Sequence, residues 1–274
     1  MNETELKQIA KEVRKDIITA VHAAKSGHPG GSLSCADILT YLFFEEMNNI
    51  DVNDPKNPDR DRFVLSKGHA APALYSVLAE KGFFEKSELE TLRHTGSMLQ
   101  GHPDMHTTPG VDMSTGSLGQ GISAAVGMAL AAKIDKKDYR VYTVVGDGEL
   151  QEGEVWEASM FAGANKLDNL VVILDNNGLQ IDGCIKDVCN PYPIDEKFMA
   201  FNFNVVKADG HDFASLKEAF DQAKACKGMP TAIVANTTKG KGVSFMEDQA
   251  GWHGKAPNDE QFEQAMKELE NIQL

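Results

Sequence analysis

A chain of 274 residues with 42% hydrophobic and 25% charged residues can bury roughly three-quarters of its unfolded surface, so it needs neither disulfides nor structural metals to hold a core. Its formal net charge of -14 repels a phosphate backbone, and the basic residues form no dense block, which argues against nucleic acid as a partner. Met1–Ala10 has no apolar signal-peptide core, and no run approaches the ~20 apolar residues of a membrane span. The expectation is a cytoplasmic protein of one domain, residues 1–274, with no membrane partner. Cys35, Cys184, Cys189 and Cys226 show no metal-binding spacing and read as inert fillers.

From Leu6, apolar residues at Ile9, Ala10, Val13, Ile17, Val21 and Ala24 follow helical spacing, and this helix stops at Gly27. Gly27-His28-Pro29-Gly30-Gly31 reads as a loop, after which Ser32 is placed to cap a helix around Ile38, Leu42 and Phe43. Asn48 to Arg62 is polar and reads as a surface connection. Four short apolar runs follow, Phe63–Leu65, Val141–Val145, Leu170–Leu174 and Thr231–Ala235, each continuous as in strands of a parallel sheet buried on both faces. Helices are expected at Ala70–Lys81, Gly121–Lys133, Val155–Asn165 and Phe213–Cys226, with a charged helix from Asn258 to Leu274. The alternation predicts an α/β fold: a doubly wound, mostly parallel sheet with helices on both faces. Ligands of such sheets bind beyond the carboxyl ends of the strands.

Gly146-Asp147-Gly148 follows the second run and Asp175-Asn176-Asn177 the third. Either piece alone is a common turn sequence. Behind two buried strands they offer a carboxylate and side-chain amides, hard oxygen donors suited to magnesium. The segment Gly146 to Ala158 resembles the cofactor-binding segment of transketolases. Ser26-Gly27-His28-Pro29-Gly30, Leu65-Ser66-Lys67-Gly68-His69-Ala70, Gly101-His102-Pro103 and Gly116-Ser117-Leu118-Gly119-Gln120-Gly121 match that family's pattern in order, from about Ile9 to about Gly254.

The resemblance implies the thiamine diphosphate-binding fold, specifically its diphosphate-binding domain, with thiamine diphosphate and Mg2+ as cofactors and Ca2+ or Mn2+ able to substitute. Asp147 and Asn177 would bind the metal by side chain, and Leu179 by its carbonyl. His69, Gly116, Ser117, Leu118, Gly148, Glu149, Asn177, Ile181 and His253 would meet the organic cofactor. The loop Gly116 to Gly121 also opens a helix, whose free amides favour an anion. His28, His69, His102 and His253 would act on the sugar, since imidazole exchanges protons near neutral pH. Glu152 would lie at a subunit interface on a proton path, and Trp156 reads as packing.

The cofactor's aminopyrimidine needs an activating glutamate, which transketolases carry in a further, pyrimidine-binding domain. Arginines that grip sugar phosphate lie there too, and the five arginines here are not clustered. The resemblance therefore points to the amino-terminal subunit of a split transketolase, which moves a two-carbon ketol unit from ketose phosphate to aldose phosphate. Its partner would be a carboxy-terminal subunit, in a heterotetramer with two of each chain. A deoxyxylulose-phosphate synthase and a non-catalytic cofactor-binding relic are the alternatives. The histidine set and the Ser26–Gly31 loop favour transketolase.

Overall fold

The computed structural model describes residues 1–273. Among them are seven strands: β1 (Arg62–Leu65), β2 (Val141–Gly146), β3 (Leu170–Asn176), β4 (Leu179–Gln180), β5 (Gly183–Cys184), β6 (Asn204–Asp209) and β7 (Thr231–Asn236). Five form one wholly parallel sheet in the spatial order β1-β2-β3-β7-β6, while β4 and β5 make a small antiparallel hairpin. Alternation along the strands divides the core between two layers. Tyr142, Val144, Val171, Ile173 and Ile233 point to one side, and Val141, Val145, Val172, Leu174 and Val234 to the other, as strands buried on both faces require.

The first layer is built by α1 (Glu3–Ala23), α2 (Pro29–Ser34), α3 (Ala36–Tyr41) and α4 (Ala71–Lys81). On the opposite face lie α5 (Gln120–Ile134), α6 (Gly153–Ala164) and, beyond the short α7 (Ile185–Cys189), α8 (Ile194–Ala200). The remaining helices, α9 (Phe213–Ala225) and α10 (Asp259–Glu270), return to the first face. Among the described residues no helix is long and apolar enough to cross a membrane.

Register sets up the functional edge. Gly146 pairs with Asp175, and Asn176 with Asn236, so β2, β3 and β7 end level. The chain segments starting at Asp147, Asn177 and Thr237 leave the sheet side by side.

Several local expectations need correction. Ser32 caps nothing: α2 starts earlier, with His28 as its N-cap and Pro29 in the first turn, where proline's fixed φ suits a helix start. The Ser32 hydroxyl instead donates to the His28 carbonyl at 2.7 Å. The final helix ends at Glu270, and Leu274 lies outside the described residues. Strand β6 was not expected, because Lys207 and Asp209 break the apolar run on this edge strand. Of the cysteines only Cys35 is buried, so the filler reading fails for the exposed Cys184 and Cys189 and is incomplete for the half-buried Cys226.

Candidate active site

Segments following β1, β2, β3 and β7 enclose a cavity of ≈ 370 Å³ lined by Lys67, His69, Gly116, Leu118, Asp147, Gly148, Asn177, Leu179, Ile181, Lys239 and His253, among others. Gly116 has φ +156°, and a Cβ there would stand 3.2 Å from the His102 ring, so only glycine lets this loop lie against the histidine. Gly119, also left-handed at φ +86°, then starts α5.

Glu149 holds these loops together. Its buried carboxylate accepts from Ser66 Oγ at 2.5 Å, from the Gly119 amide at 2.9 Å and from the Gly146 amide at 3.0 Å. It lines the cavity, but with three donors on its oxygens the carboxylate is not free to reach a ligand. Ser117 is exposed and does not line the cavity. Leu118 is half-buried, and Ile181 stays 63% exposed, an apolar side chain facing open space at the cavity wall.

Asp147, Asn177 and Leu179 line one wall. Asp147 accepts from the Gly148 and Gly178 amides at 2.8 and 2.5 Å, and Asn177 Oδ1 from the Leu179 amide at 3.1 Å. Burial, with the nearby Asp175 charge, pushes the Asp147 carboxyl up to about 6. A buried carboxylate under that load is stabilised by a cation. One carboxylate, one amide oxygen and one main-chain carbonyl make a hard donor set, and the residues fit a magnesium ion that keeps phosphate oxygens and water in its remaining positions.

Lys239 was missed by sequence reasoning, since a lysine in Thr238-Lys239-Gly240-Lys241 reads as a solvated turn. It is 2% exposed, and its ammonium has one long hydrogen bond, 3.5 Å to the Leu179 carbonyl. Burial and the neighbouring Lys67 lower it to about 8. Lys67, given no role within the Leu65–Ala70 motif, is already satisfied by the Asp175 carboxylate and the Gly31 carbonyl. Lys239 is therefore the buried cation left wanting an anion.

Four histidines far apart in sequence converge here. Ring centroids lie 5.4 Å apart for His28 and His69, 5.4 Å for His28 and His253, 5.1 Å for His69 and His253, and 6.4 Å for His28 and His102. His69 and His253 line the cavity, while His28 and the exposed His102 continue outward from it. Burial, reinforced by Arg93, lowers His28 to about 4 and also lowers His102. Burial with Lys239 lowers His253 to about 3, and burial with Lys67 takes His69 well below its ordinary value. All four rings are neutral at pH 7. The Nδ1 atoms of His28 and His253 are buried without a hydrogen-bond partner, as expected of groups that await a ligand.

The profile of a family described as "Transketolase, thiamine diphosphate binding domain" matches residues 5–271. The chain belongs to this transketolase family. It is 46% identical over 266 residues to the 6-deoxy-6-sulfo-D-fructose transketolase subunit of Clostridium sp. strain MSTE9, covering 97% of this chain and 96% of that one. It is 43% identical to an apulose-4-phosphate transketolase subunit of Phocaeicola vulgatus, covering 93% and 90%. Human transketolase is 46% identical over 96% of this chain, which spans 42% of that protein. Transketolase from Leishmania mexicana superposes with a TM-score of 0.91 at 35% identity, covering 97% of this chain and 41% of that structure. The parallel sheet and flanking helices are thus the thiamine diphosphate-binding fold of transketolases.

Other expected residues fall into distinct places. Glu152 is exposed on the rim of the cavity, at the start of α6, and caps no amide. Trp156 packs on Phe198 and Phe201 and donates to the Leu150 carbonyl at 2.8 Å, a packing role with its polar atom satisfied.

Proposed function

We propose that this chain is the diphosphate-binding subunit of a two-chain transketolase that transfers a two-carbon ketol unit from a ketose phosphate to an aldose phosphate. The observation that carries the proposal is the convergence of three unmet needs in one cavity. Asp147 favours a cation, Lys239 lacks an anion, and Nδ1 of the cavity-lining His253 lacks a partner. A magnesium diphosphate meets all three.

In this reading Asp147, Asn177 and the Leu179 carbonyl hold Mg2+, while Lys239, His69 and His253 meet the diphosphate. Gly116, Leu118, Gly148 and Ile181 bracket the organic part. Bound thiamine diphosphate supplies the nucleophilic carbon that takes up the ketol fragment. The neutral rings of His28, His69, His102 and His253 accept hydroxyl protons and return them to carbonyl oxygens, a role that a permanently protonated imidazole could not fill. Arg93, whose guanidinium donates to Ser26 at 3.1 Å, helps keep His28 and His102 neutral.

The partner reading rests on the outer helices. In α5 the sole charged residue is Lys133, and α6 exposes Met160 at 55% and Phe161 at 46%. A helix as apolar as α5, beside large apolar side chains exposed on α6, belongs inside a larger assembly, and obligate interfaces have this character. The full-length match to relatives named as transketolase subunits supports a separate pyrimidine-binding partner, with two copies of each chain in the active species. Glu152 would meet that partner. Free thiols suit a reducing compartment, and we place the enzyme in the cytoplasm.

The test is xylulose 5-phosphate cleavage by the purified chain with Mg2+ and thiamine diphosphate, before and after adding the partner subunit. Turnover should appear only in the mixture. Robust turnover by the chain alone would refute the two-chain reading.

A further inference from the structure

Beside the segment that carries Lys239, three charged or titratable side chains from separate elements form a continuous chain of hydrogen bonds. Arg14, on α1, donates to both Asp37 oxygens, from Nη1 at 2.9 Å and from Nη2 at 2.5 Å. On its other side Asp37 Oδ2 meets His211 Nδ1 at 2.7 Å, and His211 Nε2 lies 2.9 Å from the Thr238 amide nitrogen. An amide N–H can only donate, so Nε2 must carry its lone pair. The ring proton is then on Nδ1 and is donated to Asp37.

The same cluster grips a second point on that segment: Arg14 Nε donates to the Lys241 carbonyl at 3.2 Å. Thr238 and Lys241 are thus both held, one by its N–H and the other by its C=O. Lys239 lies between them. Arg14 and Asp37 are almost fully buried and His211 largely so, so water offers little replacement for a lost partner.

We propose that His211, locked by Asp37 and Arg14 as the Nδ1-protonated tautomer, is a positioning residue that fixes the Thr238–Lys241 turn and thereby sets the Lys239 ammonium in the cavity. This rests on the reading that Lys239 meets a magnesium-bound diphosphate. His211 touches no ligand in this scheme. It acts through one backbone amide, and the carboxylate on its far side determines which nitrogen is free to accept.

The two ring nitrogens can be replaced separately. The amide of His211→Asn occupies the Nδ1 position, so it keeps a donor for Asp37 but leaves Thr238 without an acceptor. In His211→Gln the carboxamide oxygen occupies the Nε2 position and accepts from Thr238, while the donor to Asp37 is lost. Calorimetry with magnesium and inorganic pyrophosphate should show His211→Gln binding within about twofold of the wild type and His211→Asn about tenfold weaker, the effect of one buried hydrogen bond. Melting temperatures of the unliganded variants should rank the opposite way, with His211→Gln lower because it leaves Asp37 short of a donor.

Affinity that follows the melting temperature, or that is unchanged in both variants, overturns the proposal and leaves His211 a structural residue. Failure of the wild type to bind pyrophosphate, with Lys239→Met behaving identically, overturns the diphosphate reading itself. The wild-type chain alone gives an independent check: imidazole nitrogen-15 shifts of His211 at pH 7.5 should report Nδ1–H. A ring protonated on Nε2 would end the proposal whatever the variants do.

Discussion

Acidification should destabilise the unliganded chain through the cavity histidines. Unfolded, the rings of His28 and His253 titrate near 6.5; folded, burial lowers them to about 4 and about 3. The folded state favours the neutral ring, so this stability is fully present above pH 6.5 and is lost as pH falls toward the folded values. Between pH 7.5 and 5 each unfolded ring takes up nearly a whole proton that the folded ring refuses, worth about 2 kcal/mol per ring at full effect. Both rings are partly open to water, and screening halves this, leaving about 2 kcal/mol for the pair. For a chain of this size that is a fall in melting temperature of about 4–8 °C. Asp16, held up to about 7 by burial, works in the opposite sense but equally in any histidine variant. Scanning calorimetry at pH 7.5 and 5 should therefore show the wild type losing about 4–8 °C more than the His28→Asn/His253→Asn double variant. Equal losses would show that the two rings are not held neutral by the fold.

Asp147→Ala should weaken magnesium-dependent thiamine diphosphate binding in the reconstituted complex by about 100-fold, and titration calorimetry showing unchanged affinity would remove Asp147 from the metal site. Gly163, inside α6, has no room for a side chain, since a Cβ there would lie 1.8 Å from the Phe201 carbonyl oxygen. Gly163→Ala should cost about 3 kcal/mol in urea unfolding, and a cost below about 0.5 kcal/mol would mean that the helix can move away freely.

What the sequence made legible follows from range of interaction. Val141–Val145 and Leu170–Leu174 are buried on both faces over their whole length, and a continuous apolar run says so locally. Edge strand β6 has one solvated face, so Lys207 and Asp209 disguise it. The proposed metal wall was readable because its donors follow directly behind two recognisable strands. Lys239 was not, because what surrounds it, Gly30, Lys67 and Leu179 among others, comes from distant segments of the chain, and nothing in Thr-Lys-Gly-Lys signals it. His211 is equally illegible: its meaning lies in Asp37 and Thr238, which only the folded chain brings to it. His28, His69, His102 and His253 stood out as members of family motifs, but their mutual contact is a property of the fold.

Glu149 clasps Ser66, Gly119 and Gly146 with one carboxylate, and this has a consequence for how the site comes apart. Release of any one segment leaves a buried charge short of a donor, which loosens the other two. The segment after β1, the turn into α5 and the end of β2 should then open as one cooperative unit rather than fray one by one. Half-formed cavities would be sparsely populated, and the chain would meet its ligand with the site either assembled or absent.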